Sequence, residues 1–158
     1  MSIAENYHIV PLLTSANTGA GVDCDSINMK GVHKATIVFT NGVTSGSAVL
    51  KIYSGATEGA KTSALPFKHA YGGAAIGNDS SDYLSAWADV TAASGLTLAS
   101  ATFSTKMQVF QVDASDMDIA NGENWLTAEI SSAGTSGITH AVAILEPRYK
   151  GNRAATVR

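Results

Sequence analysis

Apolar and polar residues alternate with period two along much of the chain. In His33–Thr40, Ala35, Ile37 and Phe39 are apolar while Lys34, Thr36 and Thr40 are polar, with Val38 the exception. Successive side chains of a strand point to opposite faces, so this run predicts a half-buried strand. Ala48–Ser54 alternates in the same way, with Leu50 and Ile52 inward and Lys51 and Tyr53 outward. Between them Asn41-Gly42 tolerates positive φ, which predicts a hairpin with a longer connection running through Gly46.

Further strands are expected at Tyr83–Val90, Thr102–Val112, Trp125–Ser131 and Ile138–Leu145. In the second, apolar residues occupy both parities, as in a strand covered on both faces. Trp125–Ser131 alternates cleanly, with Leu126, Ala128 and Ile130 on one side, and the Gly-rich segment Ala133–Gly137 reads as a turn. Asn6–Leu13 is a strand candidate that Pro11 confines to an edge or a terminus. Gly55–Lys61 and Gly72–Asn78 read as loops. Helical signals are thin: a weak spacing in Asp79–Asp89, and one turn in Ala114–Ala120 capped by Asp113 or Ser115. Seven to nine short strands imply a sandwich or barrel. The expected fold is all-β, an antiparallel sandwich of about eight strands with very little helix. Ile37, Phe39, Leu50, Ile52, Val109, Leu126, Ile130, Val142 and Ile144 are its predicted core.

Charge divides the chain. All three arginines, Arg148, Arg153 and Arg158, follow Pro147, and residues 148–158 carry four bases and no acid. The preceding 147 residues hold six bases against thirteen acids, a formal −7. Proline removes a backbone donor and ends the last apolar run, so residues 1–147 read as one domain and 148–158 as a basic arm. Arg148 and Tyr149, nearest the sheet, are the contact residues expected to be fixed, with Lys150, Arg153 and Arg158 beyond them. Charged residues are only 15% of the chain against about 25% in an average soluble domain. A weakly charged surface lowers the desolvation cost of contact between copies, which favours a homo-oligomer.

Catalytic motifs are missing from the sequence: neither G-x-S-x-G nor a P-loop occurs. His8, His33, His69 and His140 are scattered, and the lone Cys24 reads as a small buried residue. Asp113–Glu123 is rich in oxygen ligands but misses EF-hand spacing, and reads as a capped turn closed by Asn121-Gly122. No cofactor or metal is expected. The N-terminus lacks a signal peptide's charge and apolar run, no segment approaches the length of a membrane helix, and a net charge of −3 disfavours nucleic acid. Trp87, Trp125, Tyr53, Tyr71 and Tyr83 could form a sugar-binding platform, which is the alternative reading.

The runs Lys34–Phe39 and Ala48–Tyr53, the segment from Phe110 through Asp118 and Asn121-Gly122 to Glu129, and the closing Ala141–Lys150 together resemble small structural proteins of tailed-bacteriophage heads, of the decoration or cement kind. The resemblance implies a β-sandwich or jelly roll, made in the host cytoplasm, that sits on the capsid exterior. It implies binding to the major capsid protein and stabilisation of the shell, without catalysis. It also favours a trimer over a dimer, since three-fold assemblies match the local symmetry of icosahedral shells.

Overall fold

The computed structural model describes residues 6–41, 46–132 and 137–149. Among the described residues twelve strands, several only two or three residues long, pair antiparallel into two facing sheets. Sheet A runs β1 (His8–Asn17), β12 (Ile138–Pro147), β4 (Val32–Asn41), β10 (Met107–Asp113), β7 (Phe67–Tyr71), β8 (Ala88–Val90). In sheet B, β2 (Val22–Asp23) and β3 (Ile27–Asn28) share one side of β11 (Trp125–Ile130). On its other side β11 pairs with β5 (Ser47–Gly55), whose far edge is shared by β6 (Ser63–Leu65) and β9 (Leu96–Ala99). With β2 and β3 as one broken lane, and β6 and β9 as another, eight lanes remain beside an added β7–β8 pair. Their order, β1-β12-β4-β10 over β2/β3-β11-β5-β6/β9, is that of a jelly roll, in which the chain crosses between sheets at almost every connection.

That topology corrects the hairpin expectation. β4 lies in sheet A and β5 in sheet B, so the two alternating runs face each other across the core instead of pairing. Each lends one apolar face to the same interior, which a period-two pattern cannot distinguish from a hairpin. The turn expected at Asn41-Gly42 falls largely outside the described residues, as does Ala133–Ser136. β1 occupies an edge of sheet A, as Pro11 requires, and Asp25 N–H donates to Leu12 O (2.9 Å).

Ile37, Phe39, Leu50, Ile52, Leu126 and Ile130 are buried between the sheets. Val142 and Ile144 are not: β12 has the opposite phase and sends Ala141, Ala143 and Leu145 inward. The register supplies the reason. Ala141 stands opposite Phe39, Ala143 opposite Ile37, and Leu145 opposite Ala35, so large always meets small across the pair. Val109 is buried too, but on the outer side of sheet A and apart from the core cluster.

Thr102–Val112 is only partly a strand. Ser100–Phe103 forms a short helix, α1, that seats Phe103 at the sandwich margin, and β10 begins at Met107. Asp79–Asp89 is a series of turns ending in β8, not a helix. The capped turn after β10 forms as expected: Asp113 Oδ1 accepts from Ser115 N–H (3.1 Å) and Oγ–H (2.8 Å), and Gly122 adopts φ 86° to reverse the chain.

Candidate interaction surfaces

The two outer faces of the sandwich differ in chemistry. On sheet B, Lys51, Tyr53 and Glu129 point outward, and Lys61 Nζ bridges Asp23 (3.1 Å) and Glu129 (3.3 Å). On sheet A the pairing registers align Pro11, Val142, Val38, Val109 and Ala70 side by side across β1, β12, β4, β10 and β7. Cross-strand partners share a face, so these five form one apolar row on the outer side of the sheet, in which Val109 and Ala70 are themselves covered and Val142 is exposed. Ile9 and Ile144 extend it on one flank, and Ile9 is 53% exposed.

Beside that row the same face carries charge in a fixed order. Lys34 on β4 stands opposite Asp113 on β10, and Lys68 on β7 stands opposite Gln111 on β10 and Asp89 on β8. Across the four adjacent strands the signs therefore run plus, minus, plus, minus. These side chains, with Gln111 and Asp116, line an open depression of about 550 Å³. The backbone N–H of Ser115 holds the Asp113 carboxyl below the ordinary carboxylate range, with help from the Ser115 hydroxyl and from His33 and Lys34. Sequence reading missed this set because its members are scattered from residue 34 to residue 113, and only the register assembles them.

A third feature is the loop 72–87 between β7 and β8, which lies outside the eight jelly-roll lanes. Backbone hydrogen bonds fasten it: Gly72 N–H to Met107 O (2.7 Å), Gly73 N–H to Tyr83 O (2.8 Å) and Ile76 N–H to Thr105 O (2.8 Å). It displays Ile76, Tyr83, Leu84 and Trp87, each more than 40% exposed.

At the end of β12, Arg148 N–H donates to Gly31 O (2.8 Å) and its Nε–H to Val32 O (3.2 Å). Arg148 is thus tied back onto the start of β4, one residue past the boundary expected at Pro147. Tyr149 beside it is 72% exposed. Lys150, Arg153 and Arg158 lie outside the described residues.

The residues weighed for chemistry disperse. His69 lies in the core, stacked on Phe110 (5.1 Å) and Tyr71 (5.7 Å) and edge-on to Phe103 (5.5 Å); burial lowers its pKa to about 4. His140 Nδ1 accepts from Ser15 N–H (3.2 Å) at the surface. Burial, then Asp23 and Asp25, pushes the Cys24 thiol up to about 12, so it is not ionised near neutral pH. Glu123 leaves the acidic turn for the interior, where it accepts from Ser54 Oγ–H (2.5 Å) and Ser63 Oγ–H (3.1 Å). Among the described residues no group of three or more His, Cys, Asp or Glu could hold a metal ion. Neither tryptophan lines the depression, and Trp125 is half-buried on sheet B. Among those residues, too, no helix is long and apolar enough to cross a membrane.

No protein-family model matches the chain, and no curated protein matches it. Among solved structures the chain is similar to SPBc2 prophage-derived protein YomS, at 12% identity and a TM-score of 0.46, over 88% of this chain and 93% of that one. Infectious bursal disease virus, Gt strain, matches at 10% identity and a TM-score of 0.22, over 96% of this chain and 43% of that one.

Proposed function

We propose that this chain is a non-enzymatic structural protein of a phage head that binds the outer capsid surface and stabilises the shell. The observation that carries the reading is the anchored exit of β12. Arg148 pins the strand end to Gly31 and Val32, so Tyr149 stands exposed at a fixed point of the body. Residues 150–158 add three bases and no acid to a body, residues 1–149, of formal charge −6. A rigid aromatic contact followed by cationic chain suits an acidic protein surface, and electrostatic attraction of this kind raises association rates and gives them salt dependence. Many copies on one lattice make weak single contacts sufficient.

The test is co-sedimentation with purified capsids at two salt concentrations. Removing residues 150–158, or replacing Tyr149 by Ser, is expected to weaken binding at least tenfold, and the truncation also to flatten the salt dependence. Unchanged binding by both variants overturns the proposal.

A further inference from the structure

We propose that the loop 72–87 of one copy of this chain receives the basic arm of a second copy. The two segments are chemical complements. Loop 72–87 carries Asp79 and Asp82 and no base, and residues 150–158 carry three bases and no acid. Both aspartates are exposed, and among the described residues neither has a hydrogen-bond or ionic partner. Tyr83 and Trp87, 71% and 44% exposed, follow them in the chain. An arginine guanidinium pairs with a carboxylate as a fork and stacks flat on an aromatic ring, so this loop offers it both kinds of contact. Lys106, between the two residues that anchor the loop, lies over the Tyr71 ring (5.4 Å to its centre) and does not fill that role. The other acidic segment, Asp113–Asp118, commits two of its three carboxylates to Ser115 and Asn121, has Lys34 opposite Asp113, and exposes no aromatic ring.

Position makes the receiver a neighbour rather than the same copy. Arg148 is anchored at Gly31 and Val32, where β4 begins. The loop is anchored through Gly72 and Ile76 to Met107 and Thr105, beside Thr40 and Asn41 where β4 ends. The length of β4 and the two strand spacings from β4 to β7 separate these points by about 28 Å. A chain spans at most ~3.6 Å per residue, so Lys150 and Arg153 stay within about 7 Å and 18 Å of the anchor. Only Arg158 can come near the loop of its own copy, whereas a second copy with its loop beside the arm's exit meets no such limit. The bodies repel one another at a formal −6 each, so the arm is what draws copies together. Ion pairs and ring contacts at exposed sites are weak, which puts the dissociation constant on the order of 100 μM and lets a crowded lattice strengthen the contact. The inference goes beyond the proposed function: away from the shell, the neighbour's loop is the acidic surface open to the arm.

Nuclear magnetic resonance of mixed copies, without capsids, tests it. The isotope-labelled copy is the full chain with Lys150→Gln, Arg153→Gln and Arg158→Gln, so its loop can be filled only by the arm of the unlabelled parent. As parent is added, the amide signals of residues 76–87 and the Trp87 indole N–H should shift and saturate, and less so at high salt. Asp79→Lys with Asp82→Lys in the labelled copy should raise the dissociation constant at least tenfold. An unlabelled copy with Lys150→Glu, Arg153→Glu and Arg158→Glu should bind that variant to within about threefold of the original pair. Both aspartates are exposed, and the dispersion of each spectrum shows that the variant is folded. Four outcomes overturn the proposal: no shift in residues 76–87 with about 1 mM parent, shifts centred on Asp113–Asp118 instead, indifference to the loop substitutions, or a swapped pair that fails to bind. A difference at residues 76–87 between the labelled parent and the labelled arm variant that does not change with concentration gives the loop to its own arm, and overturns it equally. Capsid binding is not part of the measurement, so failure here leaves the proposed function standing.

Discussion

His69 shows how one residue's setting becomes a property of the whole protein. It is 4% exposed between the rings of Phe110, Tyr71 and Phe103, and its Nε2 has no hydrogen-bond partner among the described residues. Nothing there stabilises an imidazolium, so its folded pKa falls from 6.5 to about 4. The unfolded chain takes up this proton first as pH drops. His69 therefore destabilises the fold progressively between pH 6.5 and pH 4 and has no such effect above that window, with an upper bound of roughly 3 kcal/mol. Carboxylates also titrate near the lower end, but they do so in any variant. His69→Phe keeps the ring stack and removes the proton, so its urea-unfolding free energy should lose less than the parent's between pH 7 and pH 4. An identical loss in both proteins refutes this account. In the sequence His69 was one of four scattered histidines; its burial follows from β7, which is too short for a period to reveal.

At the scale of elements, alternation carried most of the fold. β4, β5 and β11 lie where the period placed them because each has one face in the core and one outside, so burial and sequence share the same phase. β12 defeated the rule because it is apolar at both parities: its inward side is chosen by the large residues of β4 that Ala141 and Ala143 must accommodate. β6 and β7 left no signal, being three and five residues long on either side of Pro66. Contacts between elements were less legible still, and Glu123 is the example. It looked like part of a solvated acidic turn, yet it accepts from Ser54 and Ser63 and so ties the β5–β6 corner to the start of β11. Glu123→Ala would leave the fully buried Ser54 hydroxyl without its acceptor, at a cost of about 2 kcal/mol by urea unfolding; Glu123→Gln, which retains an acceptor oxygen, should cost less. A loss below ~0.5 kcal/mol for the alanine variant is inconsistent with that role.

Across the whole molecule, the end of β12 separates, at a single residue, the folded body from the arm proposed to dock. Sequence reading put the division at Pro147, on the argument that proline ends a strand. Pro147 is indeed the last residue of β12, but Arg148 still contributes two hydrogen bonds to Gly31 and Val32 and so belongs to the folded body. Two truncations should behave differently for this reason. Ending the chain after Tyr149 removes three bases, takes the formal charge from −3 to −6, and leaves both hydrogen bonds in place. Its melting temperature should match the parent's within a degree or two, while, on the proposed function, its affinity for capsids falls. Ending it after Pro147 also frees the terminus of β12 from β4 and leaves the carbonyls of Gly31 and Val32 to water. That should cost a further ~1–2 kcal/mol, a drop of several degrees for a domain of this size. Thermal unfolding of the pair beside the intact chain makes the comparison. Equal melting temperatures for the two truncations would mean that Arg148 fastens nothing, and that the arm begins at Pro147 after all.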